Sequence, residues 1–151
     1  FCYFLSTEMD VPWDEIKQYC NNNEWEVKLT TVYNPRIFPF EVFYSPTIPE
    51  RLKTMNQSEV IFANSFHGTV FAIIMQRPFI TFLRKKGKTN LMNDRIISLL
   101  TSLGLEKRIY KSKKDCLASQ VDAPIDWDSV KNRLDRMLKS SENFLHKTGI
   151  I

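Results

Sequence analysis

Short apolar runs alternate with helical segments along this chain, and that alternation limits the folds open to it more than any other feature. Five runs have the length and residue types of strands: residues 1–5, WEVKLTTV (25–32), EVIFAN (59–64), FITFL (79–83) and a short run at 108–110. Strands that alternate with helices pack as a sheet between helical layers. The sequence therefore predicts a Rossmann-like three-layer α/β/α fold with a mainly parallel sheet.

Proline, glycine and capping residues mark the predicted helices. These helices are WDEIKQYCNN (13–22), Pro49 to about Asn56, HGTVFAIIMQ (67–76), NDRIISLLTSLG (93–104) and a last one after Pro124. We expect Pro49 in a first helical position, Gly104 as a C-terminal cap and Asp126 as an N-cap. The last helix should bury one apolar face, formed by positions 127, 130, 134, 137, 138 and 145.

The length of 151 residues suits one domain with a substantial core. The chain opens on FCYFL without an initiator methionine, so we expect a piece of a longer protein in which residues 1–151 form a single Rossmann-like domain. No apolar stretch is long enough to cross a bilayer, and the N-terminus shows no signal-peptide pattern. These features favour a cytoplasmic protein, with the inner face of the membrane as an alternative.

Three cysteines, Cys2, Cys20 and Cys116, lie far apart and form no C-x-x-C pair. This spacing argues against a disulfide framework and against a zinc site, so free thiols in a reducing compartment are expected. No cluster of ligand residues predicts any other metal.

Basic residues are concentrated in one part of the chain. Between Arg84 and Lys114 there are ten lysines or arginines but only two acidic residues, Asp94 and Glu106. Clustered cations indicate an anionic partner, which could be phosphate, nucleic acid or a membrane surface. A solvated surface patch explains the same composition.

One junction combines a polar turn with an apolar helix: NSFHGTVFAIIMQRPFITF, residues 64–82. If a strand ends here, Ser65 becomes the N-cap, and the amides of Phe66, His67 and Gly68 are unpaired donors at the positive end of a helix. Such a turn suits a phosphate or carboxylate, and His67 beside it could move a proton. On the residues alone, a histidine that only hydrogen-bonds a nearby carbonyl is the simpler explanation.

Three segments in order carry a family resemblance: ANSFHGTVFAIIMQRPFITF, NDRIISLLTSLGLEKRI and PIDWDSVKNRLDRMLKSSENFL. From about Glu50 to Leu145 the chain resembles the C-terminal half of the polysaccharide pyruvyl transferase family, and the first strand and helix fit more loosely. The resemblance implies a domain of a two-domain enzyme similar to GT-B glycosyltransferases. It also implies transfer of a pyruvyl group from phosphoenolpyruvate to a pair of sugar hydroxyls, with a ketal as product, release of phosphate and no other cofactor.

The resemblance places the family's histidine on His67, as a proton donor or alternatively as a base or a carboxylate ligand. It also implies that Ser65, Phe66 and Gly68 form the donor-binding turn. Arg84 and Lys85, with Lys86 and Lys88, follow the next strand and should emerge at the same sheet edge, where they could bind donor phosphate or an anionic acceptor. The candidate cleft contacts are Asn64, Asn90, Asn93 and Arg95.

The other half of such an enzyme is absent from these residues. The resemblance implies that a missing N-terminal domain contacts the acceptor, a sugar or lipid-linked glycan, and supplies a donor-binding arginine, so this chain alone should be inactive. Three alternatives stay open: a nucleotide-sugar glycosyltransferase domain, a pseudoenzyme, and a non-catalytic basic module. Nucleic acid is not an expected partner, because the aromatic residues do not interleave with the cations. No feature indicates an oligomeric state.

Overall fold

The computed structural model of the chain describes residues 1–5, 11–31, 40, 45–84, 90–112 and 116–149. Within these residues five parallel strands form one sheet. The strands are β1 (Cys2–Phe4), β2 (Leu29–Thr31), β3 (Ile61–Ala63), β4 (Phe79–Phe82) and β5 (Ile109–Tyr110). The predicted α/β fold with a parallel sheet is confirmed, and every strand is shorter than the apolar run that predicted it.

The strand order is β2-β1-β3-β4-β5, with every neighbouring pair parallel. The chain first moves outward from β1 to β2, then returns past β1 and continues in the opposite direction from β3 to β5. The direction therefore reverses between β1 and β3, which pair with Tyr3 opposite Ala63. In open parallel sheets, ligands bind beyond the carboxyl ends of the strands at such a reversal.

Six helices connect and cover the described strands. They are α1 (Trp13–Asn22), α2 (Ile48–Gln57), α3 (Phe66–Ile74), α4 (Asn90–Leu103), α5 (Leu117–Asp122) and α6 (Trp127–Lys147), and a 3₁₀ turn spans Glu106–Arg108. The predicted caps are confirmed at two helices. Gly104 ends α4 with a φ of +72°, and the Asp126 carboxylate accepts a hydrogen bond from the Ser129 amide at 2.9 Å.

The predicted start of one helix is wrong, and another helix was not predicted. Helix α2 begins at Ile48 and not at Pro49, because Thr47 occupies the N-cap and its amide donates to the Glu50 carboxylate at 2.8 Å. Helix α5 was not predicted at all, since its six residues bury only Leu117 and Val121 and show no repeating apolar pattern.

The helices form two layers because side chains in a strand alternate between the two faces of the sheet. Phe62 of β3 points to the face covered by α1 and α5, where it packs with Phe4 and Phe82. Ile61 and Ala63 point to the other face, which carries α2, α3, α4 and α6. Both faces are thus buried, as expected for a doubly wound parallel sheet.

Helix α6 buries less of its predicted apolar face than expected. Val130 is buried and Leu134 is partly buried against the core, but Leu138 is 54% exposed. Phe144, which the periodic pattern did not include, is 63% exposed. In the described part of the chain, no helix combines the length and the apolarity that a membrane crossing requires.

Strand β5 lies at the edge of the sheet, and side chains cover part of that edge. The Gln120 amide nitrogen donates to the carbonyls of Lys107 and Ile109 at 3.2 and 3.3 Å. Arg108, at the amino end of β5, is buried, and its guanidinium donates to carbonyls at the end of α5, including Gln120 at 2.6 Å and Ala123. Burial lowers the pKa of this guanidinium. Arg108 therefore anchors α5 to the sheet.

Candidate functional site

The turn that carries His67 follows β3 directly, so it lies where the chain direction reverses. Asn64, the first residue after β3, is buried. Its side-chain oxygen accepts a hydrogen bond from the Leu5 backbone amide at 2.7 Å, and its backbone amide donates to the Tyr3 carbonyl at 3.3 Å. Asn64 thus joins the carboxyl ends of β1 and β3. Its place is beneath the site, as a structural link between the two strands.

Ser65 is the N-cap of α3, as predicted, but it contributes through its backbone. Its side chain makes no capping hydrogen bond, whereas its carbonyl accepts bonds from the Thr69 amide at 3.0 Å and the Thr69 hydroxyl at 3.1 Å. The amides of Phe66, His67 and Gly68 precede this first helical bond. Among the described residues they have no acceptor outside the helix. Three N–H groups at the positive end of a helix can bind an oxyanion.

Phe66, His67 and Arg95 lie together on the surface above this turn. The His67 ring is exposed and meets the Phe66 ring edge to face, with 6.1 Å between centroids. Arg95 of α4 lies over the same Phe66 ring, with its guanidinium carbon 4.1 Å from the ring centroid. The half-buried Phe66 ring therefore contacts both the imidazole of His67 and the guanidinium of Arg95.

Gly68 brings α3 close to the sheet. A Cβ at this position would lie 2.9 Å from Cδ1 of Tyr3 and 3.0 Å from Cβ of Ala63, closer than side chains normally approach. Gly68 is itself buried. The absence of a Cβ at Gly68 therefore lets α3 approach the sheet closely. It fixes how far the His67 turn stands from the carboxyl ends of β1 and β3.

Arg84 and Asn93 are paired through the backbone. The Arg84 amide donates to Oδ1 of Asn93 at 3.1 Å, and Nδ2 of Asn93 donates to the Arg84 carbonyl at 2.8 Å. The Asn93 amide group thus holds the start of α4 against the end of β4. Lys85, Lys86 and Lys88 lie outside the described residues, as does the side chain of Asn90.

The described arginines of the basic segment do not lie on one surface. Arg84 and Arg95 lie at the carboxyl edge of the sheet, near the His67 turn. Arg108 precedes β5, at the opposite edge, and is buried against α5. The charge cluster seen in the sequence is therefore divided between two edges in the described residues.

Two cavities are large enough to be candidate ligand sites, and one of them borders the His67 turn. One of about 840 Å³ lies by Arg108, Cys116 and Ser129, away from the His67 turn. An open groove of about 470 Å³ borders the turn through Phe66 and runs past Arg95 and Leu99. We assign the site to the turn and this groove, because they carry the convergent donors and the histidine. No three His, Cys, Asp or Glu side chains of the described residues are grouped as metal ligands would be.

Thr69 and Thr81 support the site and were missed in the sequence. Both side chains are fully buried, and their hydroxyl oxygens lie 2.9 Å apart. The only signal was a polar residue inside each of two apolar runs, in α3 and in β4. Such a residue predicts a buried hydrogen bond but not its partner.

Comparison with known proteins identifies one family. The family model described as polysaccharide pyruvyl transferase matches residues 3–86, from β1 through the end of β4. The match includes the whole His67 turn, the first helix and all of β1 except Cys2, so the looser fit expected for the first strand and helix is wrong. Residues beyond 86 lie outside the match. No curated protein and no solved structure matches the chain.

Proposed function

This chain belongs to the polysaccharide pyruvyl transferase family, and on that premise we propose that it transfers the pyruvyl group of phosphoenolpyruvate to two hydroxyls of one sugar. The acceptor would be a polysaccharide or its lipid-linked precursor. One observation carries the proposal: the His67 turn, with its three amide donors, lies at the reversal point of the sheet, where such folds bind their ligands.

In this proposal, α3 binds the phosphate of the donor. The amides of Phe66, His67 and Gly68 provide directed donors, and the helix dipole adds a positive potential. The buried contacts of Gly68 with Tyr3 and Ala63 keep these donors rigid. Rigid donors lose little order when the ligand binds, which favours affinity.

His67 is proposed to protonate the methylene carbon of phosphoenolpyruvate. The central carbon then becomes electrophilic, and one sugar hydroxyl forms a C–O bond to it and gives up its proton. The bond from that carbon to the phosphate oxygen then breaks, and phosphate leaves and takes up that proton. The second hydroxyl attacks in its place and returns its own proton to the imidazole. The products are a pyruvate ketal, with a methyl group where the methylene was, and inorganic phosphate. An exposed histidine beside an anion site is suited to the first proton transfer.

We further propose that this domain is the donor-binding half of a GT-B-like enzyme acting in the cytoplasm or at the inner membrane face. The acceptor would then be held by an N-terminal domain. Arg84, which follows β4, would lie beside the cleft and contact an anionic acceptor. No cofactor other than the co-substrate is required.

The test is release of phosphate from phosphoenolpyruvate by the full-length protein, measured with a panel of sugar acceptors. His67→Gln should abolish acceptor-dependent release, while His146→Gln, which changes the only other histidine of this sequence, should leave it intact. Release that survives His67→Gln would remove the proton-transfer role. Stabilisation by nucleotide sugars but not by phosphoenolpyruvate would favour the glycosyltransferase alternative.

A further inference from the structure

Arg95 lies over an aromatic ring. Its guanidinium carbon is 4.1 Å from the centroid of Phe66, close enough for a cation–π contact. A guanidinium that stacks on an aromatic ring uses its flat face, and its five N–H groups then project from the edge and can still donate.

Within the described residues Arg95 has no carboxylate partner. The ion pair found among these residues joins Lys28 to Glu26. Asp94 and Arg95 both border the groove beside Phe66, but they form no ion pair with each other. The arginine is exposed and belongs to the second turn of α4. A cation near the positive end of a helix gains nothing from the dipole, so helix stability does not explain this residue.

The two donor groups near Phe66 differ in shape. Three backbone amides at the start of α3 suit a tetrahedral phosphate, whereas a guanidinium fork matches a planar carboxylate with two parallel hydrogen bonds. Phosphoenolpyruvate carries one group of each kind, a phosphate ester and a carboxylate attached to the same carbon. The Phe66 ring contacts both His67 and Arg95, and the Phe66 amide is one of the three backbone donors, so the two kinds of donor group meet at one residue.

We propose that Arg95, oriented by Phe66, binds the carboxylate of the donor and so selects an enol phosphate that bears a carboxylate. This inference rests on the proposed function. Arg95 is a binding and specificity residue, and Phe66 is a positioning residue that acts through it.

A matched pair of ligands tests the proposal: phosphoenolpyruvate, and vinyl phosphate, which has the same enol phosphate without the carboxylate. Binding of each to the full-length protein is measured by calorimetry. Arg95→Gln should lower the affinity for phosphoenolpyruvate about 10- to 100-fold, as expected for loss of a charged hydrogen-bonded pair, and should change the affinity for vinyl phosphate by no more than about twofold. Arg95→Lys should lower the affinity for phosphoenolpyruvate by an intermediate amount. Phe66→Leu should lower only the affinity for phosphoenolpyruvate, by about three- to tenfold.

Arg136→Gln, at an exposed position on α6, is the matched control and should change neither affinity. If Arg95→Gln weakens both ligands equally, Arg95 acts only as a general positive charge and the proposal is wrong. It is equally wrong if the variant changes only the KM of the acceptor, or if phosphoenolpyruvate binds as tightly as before. If the unmodified protein binds no phosphoenolpyruvate, the proposed function itself fails.

Discussion

The hydroxyl of Thr81 donates a hydrogen bond to the hydroxyl of Thr69, 2.9 Å away in the buried interface between β4 and α3. The direction follows from the second partner of Thr69. Its single hydroxyl proton goes to the Ser65 carbonyl, so the hydroxyl can only accept from Thr81. This chain of two bonds ties Ser65, the N-cap of α3, to the neighbouring strand.

Replacing these two threonines should show their coupling. Thr69→Val leaves the buried Thr81 hydroxyl without its acceptor, and Thr81→Val leaves the Thr69 hydroxyl bonded to the Ser65 carbonyl alone, so each should lower the free energy of unfolding by about 1–3 kcal/mol, Thr69→Val by the larger amount. The double variant should cost less than the two single changes together, because it leaves no unpaired hydroxyl. Urea unfolding measures all three, with Thr101→Val on the exposed side of α4 as control. Strict additivity would mean that the two hydroxyls do not interact.

The contact between Gly68 and Ala63 predicts a rescue by exchange. Gly68→Ala alone should destabilise the protein by about 1–3 kcal/mol, because the new Cβ overlaps the fixed Cβ of Ala63 and the ring of Tyr3. It should also weaken phosphate binding, since α3 must shift to fit. Adding Ala63→Gly removes one of the two overlaps and should restore part of both losses. If Gly68→Ala instead raises the free energy of unfolding, because alanine favours a helix more than glycine does, then α3 has room for a Cβ and the predicted overlap is wrong.

Arg108 should matter to stability and not to the chemistry. Arg108→Met removes the donor to the carbonyls at the end of α5, and the free energy of unfolding should fall by about 2–4 kcal/mol. Arg108→Lys should cost less, because an ammonium can still reach some of these carbonyls. Phosphate binding at the His67 turn should be unchanged in Arg108→Lys. A loss of binding without a loss of stability would contradict this separation.

The three cysteines should differ in reactivity with pH. Burial raises the pKa of Cys2 to about 12 and also raises the pKa of Cys20, whereas hydrogen bonds from Ser119 lower the pKa of the exposed Cys116 thiol. A lowered pKa means that the reactive thiolate appears at lower pH. Alkylation of the folded protein, followed by mass spectrometry, should therefore modify Cys116 first and at lower pH than in the unfolded chain. Ser119→Ala should move this profile to higher pH, and Ser141→Ala should not.

The fold was largely predictable because buried strands and capped helices leave local signals. Apolar runs located all five described strands, and Gly104 and Asp126 marked helix ends correctly. Helix α5 was not predictable, since it depends on a contact with Arg108 that is distant in sequence and no periodic pattern marks it. The end of α6 was wrongly expected to be buried. An apolar pattern is present there, but none of the described residues covers it.

The geometry of the candidate turn was predictable, but the contacts of its residues were not. The strand-to-helix pattern correctly located Ser65 as the N-cap of α3 and the three amides that follow it, and Arg95 was a candidate from its place in the chain. Sequence could not show that Asn64 and Asn93 bind the backbone, or that Gly68 faces Tyr3. These roles depend on which strands are neighbours, and a strand order that reverses between β1 and β3 is a property of the whole sheet.

The pairing of Asn93 with Arg84 has a practical consequence for redesign. Asn93 contacts only the main chain at position 84, so these two hydrogen bonds do not depend on which side chain stands there. The charge at position 84 can therefore be removed or reversed by substitution while the start of α4 stays bonded to the end of β4.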